Sequence, residues 1–565
     1  MKLEFQRQDS TMKKATNWLI AALAATVCIT TGTAIAQEDK KQPGSVTEAT
    51  HANMRNMNMG QASDISDFRD PIDYIEEALG TYTWEITTKS EQAQNYFNQG
   101  MQLRWGYNMN ESARSMAEAR RLDPECAMCY WGEAFGLGSF LNGGMSELKA
   151  PYAHEAIEKA VELADNASEM ERDLIMAARV RYPAEYDPDN RRPDDEAFAA
   201  AMKDVYEKYP DDLNVATVYG VALFLLEERR GYRDINDPDV VRLHGVLTSV
   251  LDRDIRHPGA CHLYIHATES SQEPERALNC APYLSDTVPI ASHIQHMPSH
   301  TYNEVGMWGD AVRANLNAWH SDQLADRNMG FSYAAGHNLH MLLFAASYDG
   351  QGAIASQAGR DYAKETGGNT MYDVLTLLRF GRFDEIVSRN NRPDDEVGAA
   401  LWDFAYGYAS LKEGDMEKAI EMRDVTQKFA DETDANFRFH PAGIVVGTAA
   451  GILDGEILWE LGDLDGAISA FERAVEVEDE MDYDEPEPLP FSARHWLGAA
   501  LLEAGRNVEA EAVYRAELDD HPHNGWSLYG LKAALAAQGK KDPSVDAEFA
   551  SSWARSDVLI TSSKF

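Results

Sequence analysis

Basic residues are scarce in this sequence. Lys and Arg number 51 against 93 Asp and Glu, which gives a formal net charge of −42. So acidic a surface repels nucleic-acid phosphates and anionic lipid headgroups, which makes both poor candidate partners. It suits a solvated protein in a salty habitat, or one that attracts cations. The sequence also lacks a Ser-His-Asp spacing, a phosphate-binding loop and a dinucleotide fingerprint.

Long apolar runs are confined to the N-terminus. A basic start, an apolar run and the small residues Ala34-Ile35-Ala36 follow one another there, which is typical of a secretory signal peptide. We therefore expect residues 1–36 to be removed and the mature protein to be periplasmic or secreted. Cys28 follows Val27, whereas a lipoprotein signal needs a small residue at that place. No later stretch is apolar for long enough to predict a membrane span.

Cysteine is rare, with 5 residues in the whole chain. Without the signal peptide the remaining ones are Cys126, Cys129, Cys261 and Cys280. An even number in an oxidising compartment predicts two disulfides, and proximity in sequence pairs Cys126 with Cys129 and Cys261 with Cys280. A metal or redox role for the first pair is the alternative.

Residues 37–67 are polar and lack periodicity, which predicts a flexible leader. Met54, Met57 and Met59 lie close to His51 in this segment. Thioether clusters suit Cu(I), so the leader is a candidate copper site; the alternative is an accidental group of methionines.

Helical repeats dominate the chain from about residue 90 onward. The stretch "ARHWLGAALLEAGRNVEAEAVYRAELDDHP" shows small, large and turn-forming residues at regular places: Gly498, Leu501, Gly505, Ala510, Tyr514 and Pro522. This pattern resembles the tetratricopeptide repeat, a pair of antiparallel helices. The spacing returns at Gly455, at Gly407 and, earlier, at Gly100. The resemblance extends to exported bacterial tetratricopeptide proteins that carry "CAMCYWG" and "HMPSH" segments.

The resemblance implies an all-α fold, a right-handed α-solenoid of helical hairpins over residues 68–545, followed by a C-terminal tail at 546–565. Insertions interrupt the repeats near 180–195, 228–238 and 479–490. Trp105, Trp131 and Trp526 fall at places that normally pack in the core. The acidic insertion Asp479–Pro490 is either a solvated loop or a segment that folds over the groove and offers Tyr483 or Glu485.

Histidines concentrate in three neighbouring repeat units. The repeat phase places them on the first helix of each unit, on the face that tetratricopeptide proteins turn toward the concave groove: His262, His266, His293, His296, His300, His337 and His340. Glu269 falls on the same face. Spacings of three and four residues keep each set on one side of its helix. We therefore expect the seven imidazoles and one carboxylate to face a common space.

Imidazole with carboxylate suits a transition metal such as Zn, Cu or Fe. Seven histidines exceed one tetrahedral shell, so either two metals bind or some histidines support the others. We therefore predict an exported solenoid that stores, delivers or uses a transition metal, with Glu269 as general base or carboxylate ligand. Pro298 either turns His293 and His296 toward His300 or marks a helix break without chemical meaning.

Two other functions compete with metal binding. A protein-interaction scaffold of the cell envelope is the commonest role of this repeat. A proton-sensitive groove without metal is the other, since clustered imidazoles gain charge as the pH falls. The sequence indicates neither the metal nor a substrate.

Overall fold

The structure is a computed structural model that describes residues 62–75, 80–227, 232–327 and 329–565. The predicted signal peptide, most of the predicted leader and the His51–Met59 cluster lie outside the described residues. Over the described part of the chain the predicted all-α fold is confirmed: helices follow one another with only one two-stranded β-hairpin between them.

Among the described residues, the N-terminal part of the solenoid, up to the histidine-rich segment, has eleven α-helices and two 3-10 turns at Ala164–Asn166 and Pro274–Asn279. In chain order the helices are α1 Ser66–Arg69, α2 Glu91–Trp105, α3 Met109–Leu122, α4 Ala127–Leu137, α5 Ala150–Glu162, α6 Glu169–Arg179, α7 Arg192–Lys208, α8 Leu213–Phe224, α9 Pro238–Leu251, α10 Pro258–Thr268 and α11 Ala281–Leu284.

The remaining helices and the hairpin complete the solenoid. In chain order they are α12 Ser292–His296, α13 Pro298–Glu304, α14 Trp308–Ala325, α15 Ala335–Tyr348, α16 Gly352–Glu365, α17 Met371–Arg379, α18 Phe383–Val387, α19 Glu396–Lys412, α20 Met416–Glu432, β1 Asn436–Phe437, β2 His440–Pro441, α21 Ala442–Glu460, α22 Leu464–Glu478, α23 Arg494–Glu503, α24 Asn507–Asp520, α25 Gly525–Ala537 and α26 Pro543–Ser552. The two strands pair antiparallel.

Helices pack mainly on their neighbours in sequence, as expected for stacked hairpins. Small residues at the repeat positions allow this approach. A Cβ added at Gly498 would lie 2.4 Å from the ring of Tyr514 on the partner helix, so only glycine fits there. Trp105, Trp131 and Trp526 are buried, which confirms their predicted place in the core.

The apolar core forms two clusters along the solenoid. One extends from Phe68 to Met297 and the other from Tyr302 to Val545. Helices α12 and α13 lie where the two clusters meet, so the histidine-rich segment occupies the junction between the halves of the solenoid. Both predicted disulfides are present, with S–S distances of 2.09 Å for Cys126–Cys129 and 2.17 Å for Cys261–Cys280.

The sequence predicts no membrane span after the N-terminal apolar run, and helix α21 departs from this expectation. By length and composition alone, its 19 residues are apolar enough to cross a bilayer. However, 61% of its apolar window is buried inside the protein, between α20 and α22, as in the core helix of a solenoid. One such helix is weak evidence for a membrane span.

The C-terminal tail packs on the solenoid. The ammonium group of Lys564 lies 2.6 Å from Glu456, and Arg555 lies 2.6 Å from Asp349. The Ser563 hydroxyl donates to the backbone carbonyl of His495. These contacts join the last residues to α15, α21 and α23.

Candidate metal centre

Helix α10 begins at Pro258, whose ring fixes a helical φ at the first position, and the His257 side chain caps it by accepting from the Ala260 amide. The disulfide from Cys261 holds this helix against Cys280. Consecutive helical turns then place His262 and His266 on one face, and Glu269 follows at the helix end. All three side chains are buried.

The segment that contains Pro298 is divided into α12 and α13. Its backbone nevertheless stays helical through Met297, with φ −51° and ψ −39°. His296 and His300, on either side of the proline, approach each other with 2.7 Å between their Nε2 atoms. A spacing of four residues on a continuous helical path is enough to bring these two rings together.

Helix α15 follows an unusual backbone residue. Ala334 adopts a left-handed conformation with φ +54°, as does Tyr107 with φ +59°, and both belong to one small apolar cluster beside the histidines. Such conformations cost about 1 kcal/mol or more in residues with a side chain, and they concentrate at functional sites. The Tyr107 ring lies 4.2 Å from that of His262, and the turn at Ala334 places His337 on the first turn of α15.

Three imidazoles from α10 and α12 form a group that we call the first triad: His262, His266 and His293. One ligand atom from each lies within 4.8 Å of the others. His262 donates from Nδ1 to the Trp105 carbonyl at 2.6 Å, and His266 Nδ1 lies 2.8 Å from Glu269 Oε1. Both contacts require a proton on Nδ1, so Nε2 of each ring has the lone pair that binds a metal.

Three further imidazoles form the second triad: His296, His300 and His337. The first two are buried and the third is half-buried. From Nε2 of His296, the distances are 2.7 Å to Nε2 of His300 and 3.1 Å to Nε2 of His337. Nitrogen ligands on a tetrahedral ion with bonds of 2.0–2.1 Å lie about 3.3 Å apart, so the separation from His337 fits this spacing and the separation from His300 is shorter than it.

Hydrogen bonds decide which nitrogen of His296 is protonated. Its Nδ1 lies 2.8 Å from Asn315 Oδ1, and the Asn315 amide nitrogen donates to the Ala311 carbonyl at 2.9 Å. The amide orientation is therefore determined, Oδ1 is the acceptor and His296 Nδ1 bears the hydrogen. The lone pair of His296 Nε2 consequently faces the other two rings of the second triad.

His300 is protonated at Nδ1 for a similar reason. That nitrogen lies 2.7 Å from Glu269 and 3.0 Å from Glu485. A neutral His300 would then present a second lone pair to His296 across 2.7 Å. Two lone pairs repel at this distance, so the geometry calls for a cation between them, either a metal ion or a proton.

Two buried carboxylates connect the triads. Glu269 reaches His266 from the first and His300 from the second. Glu485, only 4% exposed, belongs to the acidic insertion, which here folds inward as the second alternative for that segment expected. With His266 and His300 these carboxylates form a third set of ligand atoms within 4.8 Å of one another.

Glu269 contacts Nδ1 atoms, where a carboxylate orients imidazoles and makes them stronger ligands. Burial and Glu485 raise its pKa, but His266 and His300 outweigh both and lower it to about 2. A carboxylate so acidic is a weak base. Through these contacts Glu269 orients His266 and His300, and its oxygens also belong to the set of possible ligand atoms that includes Glu485.

Burial shifts the pKa values of the imidazoles strongly. Burial and the charge of neighbouring imidazoles lower the pKa of His262, His293 and His337 well below the usual value. Burial and His300 lower the pKa of His296 to about 3. Burial also lowers the pKa of His300, but Glu269 and Glu485 outweigh it and raise it to about 9. The rings with lowered pKa values are neutral near pH 7, the form that binds metal, whereas His300 bears a proton there that a metal ion would have to displace.

His340 lies apart from both triads, contrary to the expectation that all seven histidines share one space. Its ring stacks on Tyr372 with 4.4 Å between centroids, and its Nδ1 lies 3.5 Å from Arg438. Burial and Arg438 lower its pKa well below the usual value. His340 lies one helical turn after His337 on α15, and its side chain contacts Tyr372 and Arg438 instead of the triads.

The expected open groove is also filled at this point. Tyr107, Met109, Phe140 and Tyr333 form a small apolar cluster beside the first triad. The rings of Tyr107 and Tyr333 lie 5.1 Å and 4.6 Å from that of His293. The imidazoles consequently lie in a mostly dry environment, where charges interact more strongly than in water.

Two contacts of the centre were not expected from the sequence. Asn315 comes from α14, the second helix of its hairpin, whereas the repeat phase predicts groove-facing residues on first helices. The Trp105 contact is through a backbone carbonyl, which no side-chain pattern reveals. Extension of the repeat phase to the second helices would have pointed to Asn315, since a buried amide there needs a partner.

Beside the second triad lies a cleft with about 1400 Å³ of empty space, including its mouth. His300 and Glu485 line its inner end, and residues of the acidic insertion line one wall. The second triad is therefore adjacent to a space that a small molecule can enter.

Comparison with known proteins identifies the repeat. Residues 454–525 match the tetratricopeptide repeat family. The fold is a tetratricopeptide-type α-solenoid. Of the functions expected from the sequence, this match favours the protein-interaction scaffold. No curated protein shows significant sequence similarity to the chain.

Several solved structures resemble the solenoid at low identity. The human IFIT1 dimer with m7Gppp-AAAA is 11% identical, with 85% of this chain and 98% of that chain covered and a TM-score of 0.31. The APC/C hetero-tetramer Cut9-Hcn1 is 14% identical, with 78% and 90% covered and a TM-score of 0.28. Yeast Tom70 is 13% identical, with 81% and 92% covered and a TM-score of 0.24. Similarity at this level says nothing about a shared ligand.

Proposed function

We propose that the solenoid binds two transition-metal ions, one at each triad, at the junction between its two halves. The short distance of 2.7 Å between Nε2 of His296 and Nε2 of His300 is the observation that carries this proposal. Both rings have their Nδ1 proton committed to an oxygen acceptor, so a cation between the two Nε2 atoms removes the repulsion.

Donor type and number support the same function. Each triad offers three imidazole nitrogens, and Zn, Cu and Fe accept such ligands, whereas Ca and Mg prefer oxygen. Three protein ligands are the number used by catalytic zinc sites, which keep a fourth position for water or substrate. The cleft that reaches His300 makes the second triad the more suitable of the two for chemistry.

Partners of the imidazole Nδ1 atoms add a second support. The Trp105 carbonyl and Asn315 orient one ring each and Glu269 contacts two, and such outer contacts are typical of metal-binding histidines. A cluster of structural histidines needs no such consistent choice of nitrogen, because either tautomer can satisfy a core hydrogen bond.

Elemental analysis of the exported full-length protein tests this function. We expect about two equivalents of Zn, Cu or Fe per chain, since each triad provides the three ligands of one ion. The His296→Ala variant is expected to lose about one equivalent. His320→Ala, at an exposed histidine of α14, is the matched control and should retain both.

The opposite result is a wild-type protein that contains no metal and takes up none when Zn, Cu or Fe is added. In that case a proton lies between His296 and His300, and the cluster is the proton-sensitive site that the sequence also suggested. NMR titration of the imidazole protons without metal would then identify the charged ring.

A second candidate function is a protein-interaction scaffold, which the tetratricopeptide match over residues 454–525 favours. Stacked hairpins present long surfaces for partner proteins. Affinity capture from envelope extracts tests it: recovery of one stoichiometric partner, equally by the wild type and by a variant with His262→Ala and His300→Ala, would support the scaffold and separate it from the metal centre.

We also propose that the protein is exported. Two disulfides support a place in an oxidising compartment. N-terminal sequencing of the mature protein is expected to begin at Gln37, the residue after Ala34-Ile35-Ala36. A mature chain that begins at Met1 or Met12 would contradict export.

A further inference from the structure

The cleft beside the second triad has an unbalanced charge. Eight of its lining side chains are Asp or Glu, against one Arg, no Lys and two imidazoles, His300 and His521, whose pKa values neighbouring carboxylates raise despite burial. The single arginine, Arg494, already lies 2.7 Å from Asp479. A space with this lining repels anions and attracts cations.

Carboxylates of the cleft are too dispersed for a bound metal ion. Among the described residues, sets of three ligand atoms close enough to share an ion occur at the imidazole cluster, and Glu485 is the cleft carboxylate that belongs to one. Glu304, Glu478 and Glu487 line other parts of the wall. Separated negative charges favour an extended cation over a compact one.

An unsatisfied acceptor in the cleft wall points to a hydrogen-bond donor. Asn303 lines the cleft and is only 7% exposed. Its amide nitrogen donates to the sulfur of Met341, and its Oδ1 accepts no hydrogen bond from the residues that the structure describes. A buried amide oxygen without a donor is costly, so a ligand N–H group that reaches it is stabilised.

Apolar side chains form another part of the wall. Trp308 of α14 and Met341 and Phe344 of α15 line the cleft. A hydrated inorganic cation gains nothing from such a surface, whereas an aliphatic chain buries apolar area against it. Aromatic rings also attract organic ammonium groups.

We propose that the cleft binds a linear aliphatic diamine or polyamine, with its ammonium groups among the dispersed carboxylates and Asn303 and its methylene chain along the apolar wall. Binding itself does not depend on a metal. The role of this amine as a substrate of the second triad rests on the proposed function, because only there does His300 bring a metal to the inner end of the cleft.

The raised pKa values of two acidic residues in the cleft give further support for the binding of a cation there. Burial, followed by Glu269 and Glu487, raises the pKa of Glu304 to about 8. Burial, followed by Glu517, raises the pKa of Glu478 to about 8. The pKa of a carboxyl group rises when other carboxylates are close and few cations balance them.

Calorimetric titration of the full-length protein with 1,5-diaminopentane tests the proposal, with 1,5-pentanediol and glutarate as controls of similar length. We expect binding of the diamine alone. At pH 9, where Glu304 is ionised, Glu304→Gln should weaken it about tenfold through loss of one ion pair. Glu480→Gln, at an exposed neighbour that does not line the cleft, should change it less than about twofold. Asn303→Leu should weaken it roughly fivefold through loss of the acceptor.

Equal binding of the diol, or equal weakening by Glu304→Gln and Glu480→Gln, would overturn the proposal. Binding of a lysine-rich peptide without any binding of diamine or spermidine would also overturn it and assign the cleft to a protein partner. Circular dichroism of each variant checks that it folds. A salt titration of wild-type binding needs no variant, and affinity that is unchanged from low to high salt would contradict the role of the carboxylates.

The His296→Ala variant separates this proposal from the metal centre, since His296 does not line the cleft. Diamine binding that persists in this variant, which lacks a ligand of the second triad, supports the cleft whatever the outcome for the metal. A protein that contains the metal but does not bind the diamine would overturn the proposal for the cleft and leave the proposed metal centre unaffected.

Discussion

Each triad consists of three imidazoles, but the two triads differ in where the protons of those imidazoles can lie. In the first, His293 can donate from Nε2 to His262 across 3.2 Å, which is an ordinary hydrogen bond between neutral rings. In the second, His300 is held by two carboxylates through Nδ1 and faces His296 at 2.7 Å. Only the second triad therefore requires an added cation, and acidic side chains next to imidazoles create that requirement.

His293 adds a detail to this comparison. Its Nδ1 accepts or donates no hydrogen bond among the residues that the structure describes. A ring without an outer partner is less well oriented as a ligand than one that has it. We therefore expect the first triad to bind its ion more weakly than the second.

The largest expected effect is the loss of metal from the second triad alone. Metal titration of His296→Ala should show one remaining site, with the affinity of the first triad. The corresponding His262→Ala variant should retain the tighter site. If both variants lose all metal, the triads form one centre and the comparison between them fails.

Removal of metal should destabilise the fold at the junction of the two core clusters. A ligand that binds only the folded state raises the free energy of unfolding by about 2.7 kcal/mol per site when its free concentration is about 100 times Kd. We expect a chelator to lower the free energy of unfolding of the wild type by roughly this amount for each ion, measured by urea denaturation. The chelator effect should be about half as large in His296→Ala.

Asn315→Leu should sharpen the comparison with a smaller effect. It removes the acceptor that orients His296, and loss of such an outer contact typically weakens metal affinity 10–100-fold. Competition with a metal indicator would measure this change at the second triad. Asn317→Leu, at an exposed position of the same helix, is the control. Equal weakening of both triads would contradict a separate second site.

The smallest effect on metal content is expected from a substitution in the solenoid far from the triads. Gly505 ends α23 with φ +71°, a conformation that favours glycine, and a Cβ there would meet open space. Gly505→Ala should lower the free energy of unfolding by about 1 kcal/mol through backbone strain. Metal content should stay the same, and a loss of metal would show that the site depends on global stability.

Sequence patterns were sufficient for features that repeat or lie close along the chain. The repeat spacing around Gly498 predicted helical hairpins, because a small residue opposite a large one is a local requirement of close packing. Both disulfides join cysteines within the same or adjacent repeat elements, so proximity predicted them. Six of the seven predicted histidines lie in the two triads.

Contacts between distant segments were harder to foresee. Glu485 approaches His300 from a different repeat, and only the path of the acidic insertion brings it there. His340 leaves the cluster because Arg438 and Tyr372 occupy the space beside it. These outcomes depend on which side chains from remote helices fill the same volume.

By itself, the sequence determined the all-α solenoid and the faces on which the histidines lie, because helix periodicity is a property of neighbouring residues. Tertiary structure decided that those histidines divide into two triads, which nitrogen of each ring points inward, and that two carboxylates join them. Those features depend on distances of a few ångströms between residues far apart in the chain, and only the packing of the complete solenoid sets such distances.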